Sequence, residues 1–366
     1  MHVWRADPVY ARRAGLLAED MSDTKERSKT EVRAGRRTVP ISRPEKVLFP
    51  GGPGGPGGPG GPGGPDGPGG PDHSGDGITK SDLVDHYRAV SRLMLPHLRG
   101  RPLMMERHPD GISGRPLMQK NAPDHFPDWI HRAVMPKEGG EVTHVVCDDV
   151  ATLVYLAGQA CVTPHRWLSR ADRPHHPDRL VFDLDPPPDA GFEEVRWAAR
   201  RMCGLLGEVG LPGLLMTTGS RGLHVVVALD RREDFDSVRD FARDAADLLA
   251  ARHPDRLTTE PRKAKRAGRL YLDTQRNGYA QTAVAPYAVR ARPGAPVATP
   301  IAAEELDDPE LRADRWTLRT IGERLERDPW AGAGTRGRSL NAPRRRLAEL
   351  SRETLPDDGD SRRNGN

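Results

Sequence analysis

The sequence predicts an α+β fold built on a ferredoxin-like sheet, and three observations predict it. Residues 179–186 read Arg-Leu-Val-Phe-Asp-Leu-Asp-Pro, an apolar run carrying two carboxylates, Asp183 and Asp185, spaced by two. From residue 180 onward the apolar periodicity follows the order strand, helix, strand, strand, helix, strand (β-α-β-β-α-β). Ahead of that order, helical and extended patterns of their own supply an N-terminal α/β subdomain.

The elements follow in sequence. Residues 81–95 place Leu83, Val84, Tyr87, Val90 and Met94 on one side of an amphipathic helix, with Lys80 just before its start. Residues 148–161 read as a second, mostly buried helix. Residues 180–185 form a strand, in which residues two apart share a face. Asp183 and Asp185 therefore stand together, and Phe182 and Leu184 turn the other way into a core. A helix over 192–209 is apolar at Val195, Ala198, Met202, Leu205 and Leu206. Strands over 214–218 and 223–229 flank the tight turn Gly219-Ser220-Arg221-Gly222. A helix over 235–251 and a strand over 269–273 complete the order.

In a ferredoxin-like sheet the first strand lies between the third and the fourth. Asp183 and Asp185 then have His224 on one side and Asp273 on the other. Adjacent like charges are costly unless a cation sits between them, and hard divalent ions take such oxygen ligands together with substrate phosphates. Two such ions can clamp an in-line phosphoryl displacement. The arrangement resembles a polymerase palm.

Composition adds boundaries. Lys and Arg number 56 against 52 Asp and Glu, a formal charge of +4 that argues only weakly for nucleic acid. Cys147, Cys161 and Cys203 show no paired spacing, which fits a reducing cytoplasm. No apolar run reaches membrane-spanning length and the start lacks a signal-peptide core, so a cytoplasmic protein without membrane contact is expected. Residues 1–32 are charged and aperiodic and are expected to be a disordered extension ahead of a domain over 33–330. Residues 51–75 are a Gly/Pro-rich insert, almost pure Gly-Gly-Pro over 51–71, expected to be disordered with polyproline II character. Residues 331–366 are expected to be a disordered tail.

The motifs together resemble the polymerase domain of bacterial ATP-dependent DNA ligase D, in the archaeo-eukaryotic primase superfamily. The likeness rests on Asp183-Leu184-Asp185, Gly219-Ser220-Arg221-Gly222-Leu223-His224, Arg269-Leu270-Tyr271-Leu272-Asp273 and Ala285-Pro286-Tyr287-Ala288-Val289-Arg290. Lys46-Val47-Leu48-Phe49-Pro50, Gly77-Ile78-Thr79-Lys80, Thr163-Pro164-His165 and Trp167-Leu168-Ser169-Arg170 extend it. The resemblance implies a primase-polymerase fold and a template-dependent nucleotidyltransferase in a stand-alone form. Such an enzyme extends primers and fills gaps at DNA ends during non-homologous end joining. It implies two divalent ions, Mn²⁺ or Mg²⁺, held by the catalytic carboxylates Asp183, Asp185 and Asp273. It implies an NTP or dNTP substrate contacted by His165, Ser220, His224 and Arg290, and DNA ends whose 5′-phosphate is gripped by Lys46 and Lys80. Arg266, in the basic run 262–269, is a candidate contact to the nucleic-acid backbone or a solvated residue. Ku and a separate DNA ligase are the implied partners.

The sequence departs from the family at some positions. Leu117 and Met118 stand where relatives often carry an aromatic pair, and aliphatic side chains stack on bases less well. Glu106 replaces a residue that is basic in some relatives, although Arg107 adjoins it. Other readings remain: a catalytically inactive nucleic-acid-binding or docking module of the same fold, an RNA-recognition domain of like strand order, and a zinc hydrolase using Cys161, His165, His175 and His176. The predicted sheet face carries acids rather than stacking aromatics, and the Cys/His spacing matches no standard zinc pattern.

Overall fold

The computed structural model describes residues 29–51, 77–331 and 336–354. The disorder expected for residues 1–28, 52–75 and 355–366 therefore concerns segments outside the described residues.

The chain opens with a hairpin of β1 (Lys29–Ala34) and β2 (Arg37–Ser42), Val32 opposite Val39, so ordered structure begins ahead of the boundary expected after residue 32. Val39 and Ile41 are buried, and this apolar side of β2 holds the hairpin on the domain. β3 (Val47–Phe49) pairs with β4 (Ile78–Thr79), Val47 opposite Thr79. Thr79 caps helix α1 (Lys80–Leu98): its hydroxyl accepts from the Asp82 N–H, and the Asp82 carboxylate accepts from the Thr79 N–H. Lys80 is thus the first residue of the helix rather than the residue before it. Leu83, Val84, Tyr87, Val90 and Met94 form its buried face, as the periodicity predicted.

β5 (Leu103–Arg107), β6 (Leu117–Gln119), the hairpin β7 (Arg132–Lys137) and β8 (Gly140–Val145), helix α2 (Val150–Gly158) and β9 (Cys161–Trp167) follow. Helix α2 is shorter than residues 148–161: Asp149 caps its start, and Ala160 at φ 56° ends the turn that releases Cys161 into a strand.

The ferredoxin-like unit comprises β10 (Arg179–Asp185), α3 (Phe192–Glu208), β11 (Leu214–Thr217), β12 (Leu223–Ala228), α4 (Phe235–Arg252), the short β13 (Leu257–Thr258) and β14 (Leu270–Asp273). β15 (Thr282–Val284) and β16 (Thr299–Ile301) come after it. The main sheet runs β13-β14-β10-β12-β11-β16, so β10 lies between β12 and β14 as the topology required. A second sheet runs β15-β9-β5-β6. Phe182 and Leu184 are fully buried in the main core beneath α3 and α4.

Asp178, just ahead of β10, ties the two sheets together. Its carboxylate accepts from Arg101 Nη2 at 2.7 Å and from Arg170 Nε at 3.0 Å, residues that flank β5 and β9. Arg101 is fully buried and Asp178 nearly so, and buried charges persist only when paired in this way.

The expectation of a disordered tail over 331–366 is overturned for residues 336–354. Helix α5 (Asn341–Thr354) packs on α4 and buries Pro343, Leu347 and Leu350. Arg344 binds Glu233 at 3.2 Å, and the Arg338 N–H donates to the Ala228 carbonyl at 2.9 Å, at the C-terminal end of β12. Leu340, Leu347 and Leu350 make a narrow apolar stripe among arginines, which the polar composition of the segment conceals. Leu347→Ala should lower the unfolding free energy by about 2 kcal/mol. Truncation before residue 336 should lower the melting temperature. An unchanged melting curve for the truncated protein would contradict this packing.

Candidate active site

β10 brings Asp183 opposite His224 of β12 on one side and opposite Asp273 of β14 on the other. Asp185 lies opposite Tyr271. The turn between β11 and β12 closes against the end of β10. The Thr218 N–H donates to the Gly222 carbonyl at 3.2 Å, and Gly219 takes φ +63°. A Cβ at Gly222 would lie 2.3 Å from the Leu184 carbonyl oxygen, so only glycine lets the turn sit on that strand. A Cβ at Gly219 would lie 2.8 Å from Arg290 Cγ, and Arg290 Nη1 donates to the Thr218 carbonyl at 2.7 Å. Glycine at both positions therefore sets how closely Ser220 and Arg290 approach the carboxylates.

These residues line one cavity of about 280 Å³. His165, Asp183, Asp185, Ser220, His224, Asp273 and Arg290 all border it, together with Arg221, Arg276 and Arg292. His165 reaches it from β9, so the cavity lies between the two sheets. Arg276 went unrecognised in the sequence. It sits on the 3₁₀ turn Gln275–Asn277, and no spacing rule marks it. Arg292 had a faint signal, as the second arginine of Arg290-Ala291-Arg292.

The carboxylates differ in their surroundings. Burial pushes the Asp183 pKa up, but His224 Nε2 and Arg276 Nε, each 3.5 Å away, bring it below its usual value. Asp273 is raised, by burial and by the charge of Asp183, although the Gln275 N–H bound to it opposes the rise. Asp185 pairs with Arg266 Nη1 at 3.0 Å and faces Arg221 Nη2 at 3.6 Å. Arg266 also lies over the Tyr271 ring, 3.9 Å from its centroid. The candidate nucleic-acid contact is therefore held on a candidate metal ligand in this structure.

The donor set suits a hard divalent ion: three carboxylates from two adjacent strands face one cavity, and the like-charge repulsion that raises Asp273 is what a cation relieves. Among the described residues no three acidic, histidine or cysteine side chains enclose an ion as they stand. Each carboxylate is instead bound by a neighbouring donor. The zinc reading gains nothing: His175 stacks on Tyr279, with ring centroids 4.8 Å apart, and Cys161 is buried in β9.

Lys46 and Lys80 do not border the cavity, but the pairing of β3 with β4 brings them together. The Lys80 N–H donates to the Lys46 carbonyl at 2.8 Å. Lys80 Nζ donates to the Ser42 carbonyl at 2.6 Å, and Lys46 Nζ binds Asp110 at 3.3 Å. Burial first, then the charges of Arg43 and Lys46, lower the Lys80 pKa to about 8.

The family departures are visible as well. Leu117 and Met118 are half-exposed on β6. Arg107 does not stand in for Glu106, because strand alternation turns it away to Gln119 Oε1 at 2.8 Å and to the Gln159 carbonyl at 2.9 Å. Glu106 instead accepts from His165.

A ferredoxin-like sheet that holds carboxylates beneath a cavity with arginine walls is the architecture of primase-type polymerases. The family model described as LigD, primase-polymerase domain, matches residues 79–330, more than half of the chain, and the chain belongs to that family. The multifunctional non-homologous end joining protein LigD of Pseudomonas aeruginosa is 35% identical over 274 residues, 74% of this chain and 32% of that protein. The multifunctional non-homologous end joining DNA repair protein LigD of Mycobacterium tuberculosis is 33% identical over 244 residues, 64% of this chain and 32% of that protein. The chain thus spans about a third of the length of these curated relatives. The polymerase domain from Mycobacterium tuberculosis ligase D, solved in complex with DNA, superposes with a TM-score of 0.67 at 31% identity, covering 71% of this chain and 93% of that chain.

Gly222→Ala should disturb the site through backbone alone. The new methyl group must push the turn off Leu184, which should cost about 1–3 kcal/mol of stability. A variant with wild-type melting temperature and wild-type nucleotide affinity would contradict this account.

Proposed function

We propose that the protein is a template-dependent nucleotidyltransferase that extends primers and fills gaps at DNA ends in non-homologous end joining. The observation that carries this reading is the single cavity in which Asp183, Asp185 and Asp273 meet His165, Ser220, His224 and Arg290. The DNA-bound polymerase domain of a relative supports it. Asp183, Asp185 and Asp273 would hold two Mg²⁺ or Mn²⁺ ions, which when bound neutralise charge at the α-phosphate during an in-line displacement. Ser220, His224 and Arg290 offer donors to the phosphate oxygens of an NTP or dNTP. Arg221 and Arg266 pair with Asp185, and Arg276 pairs with Asp183, in the structure as it stands; with a cation held there instead, each would be available to phosphate. Lys46 and Lys80 form the 5′-phosphate grip. A filled gap still requires sealing, so Ku and a DNA ligase are the partners this chemistry calls for.

Primer extension on a gapped duplex with a 5′-phosphate, in Mg²⁺ or Mn²⁺, tests the reading. Asp183→Ala and Asp185→Ala should each abolish extension and leave a cooperative melt. Extension at the wild-type rate in both variants would sink the mechanism. DNA binding without any extension by the wild type would identify an inactive docking module instead.

His224→Ala and Arg290→Ala each remove a charge-assisted contact of about 1.5–3 kcal/mol, so KM for nucleotide should rise roughly ten- to hundredfold. An unchanged nucleotide titration would contradict the assignment.

The Lys80 cation is lost as pH rises through about 8. Preference for a 5′-phosphorylated over a 5′-hydroxyl end should therefore fall between about pH 7 and about pH 9, and Lys80→Arg should flatten that dependence. A preference constant across this range in the wild type would remove Lys80 from the phosphate site.

A further inference from the structure

Glu106 is an acid bound to His165, a residue that lines the cavity. It lies on β5 with Thr163 opposite, one position along β9 from Pro164 and two from His165. Its Oε2 is 3.0 Å from His165 Nε2, and its Oε1 is 3.2 Å from His108 Nε2. Burial raises the Glu106 pKa, but the two histidine bonds, with the charges of His165 and Arg290, outweigh it and hold it at about 2, so the group is a carboxylate near neutral pH.

An ionised carboxylate only accepts hydrogen bonds. Each imidazole nitrogen facing it must therefore carry a proton. A neutral imidazole has one N–H, so a proton on Nε2 leaves Nδ1 as a lone pair. His108 fits this assignment independently. Its Nδ1 is buried without a partner, and a second proton there would be an orphaned buried donor. For His165 the surroundings oppose a second proton. Burial lowers its pKa, Glu106 resists, and the charges of Arg290 and Arg276 add to the fall, leaving it below the ordinary value.

We propose that Glu106 is a positioning residue that fixes His165 with its proton on Nε2 and its lone pair on Nδ1, so that His165 accepts a hydrogen bond from a hydroxyl of the nucleotide sugar and does not donate to the phosphates. The cavity is then divided by chemistry. Arg290, His224 and Ser220 present donors for the phosphates. His165, bound from behind by Glu106, offers the substrate an acceptor. The sugar is the part of a nucleotide that carries hydroxyl donors, at its 2′ and 3′ positions. A site built around a hydroxyl rejects the analogue lacking it, because its own acceptor is left unpaired. The sugar assignment rests on the polymerase reading, whereas the proton position does not.

Two measurements test the proposal. Long-range ¹H–¹⁵N NMR of the metal-free protein, with His165 assigned by a His165→Gln variant, should show its proton on Nε2 and an unprotonated Nδ1. A proton on Nδ1 overturns the proposal whether or not the protein is a polymerase. Single-nucleotide incorporation of ribo-, 2′-deoxy- and 3′-deoxynucleotides then reads kcat/KM for each. Wild type should disfavour one of the two deoxy analogues, which identifies the hydroxyl. Glu106→Ala should reduce that discrimination about tenfold, by lowering kcat/KM for the hydroxyl-bearing nucleotide while the analogue is unaffected. Glu106→Gln, whose amide oxygen can still accept from His165, should restore most of it and guards against simple misfolding. An equal loss on all nucleotides, or discrimination unchanged in Glu106→Ala, overturns the sugar assignment. Absence of incorporation by wild type would defeat the functional reading, with the NMR result still deciding the proton position.

Discussion

The site depends on one antiparallel register, that of β10 against its two neighbours. Sliding β10 by one residue would send Asp183 and Asp185 into the core and bring Phe182 and Leu184 to the cavity. The alternative is excluded by burial: Phe182 and Leu184 are fully enclosed beneath α3 and α4, whereas the two aspartates retain access to solvent. Hydrophobic packing on one face of the sheet thus positions charge on the other. His224 and Asp273 inherit their places from the same register, one through each neighbouring strand.

A second constraint fixes this sheet against its companion. The carboxylate of Asp178 gathers Arg101 and Arg170, so the start of β10 is anchored to the ends of β5 and β9. His165 reaches the cavity from β9, and Glu106 meets His165 from β5. The strand of the carboxylate wall and the strands of the histidine wall are thus joined by a charged knot remote from the chemistry. Removing one member of such a buried set leaves the others uncompensated, which is why these knots hold geometry so firmly.

Much of this was legible in the sequence, for a definite reason. Strand alternation and helical periodicity are local signals, and the strand order of 180–273 needs nothing else. Once that order is fixed, topology places Asp183, His224 and Asp273 side by side. What stayed hidden depends on long-range side-chain contacts. Arg266 reaches Asp185 across 81 residues, and Glu106 meets His165 across 59. Neither pairing leaves a local pattern. Helix α5 was hidden differently: its apolar stripe is narrow, and its arginines dominate the composition. The hairpin β1–β2 was missed in part because its first residues are exposed and resemble the charged segment before them.

The pairing of β3 with β4 bears on the Gly-Gly-Pro repeat between them. Phe49 lies opposite Ile78, so the chain departs and returns at one point on the domain surface. The number of residues between β3 and β4 therefore does not set the distance between these two strands. In the gene, each Gly-Gly-Pro unit is nine nucleotides, a whole number of codons. Slippage during copying can add or delete units without changing the reading frame or moving either anchoring strand. The Lys46–Lys80 pair is thus separated from any change in repeat number by two short strands.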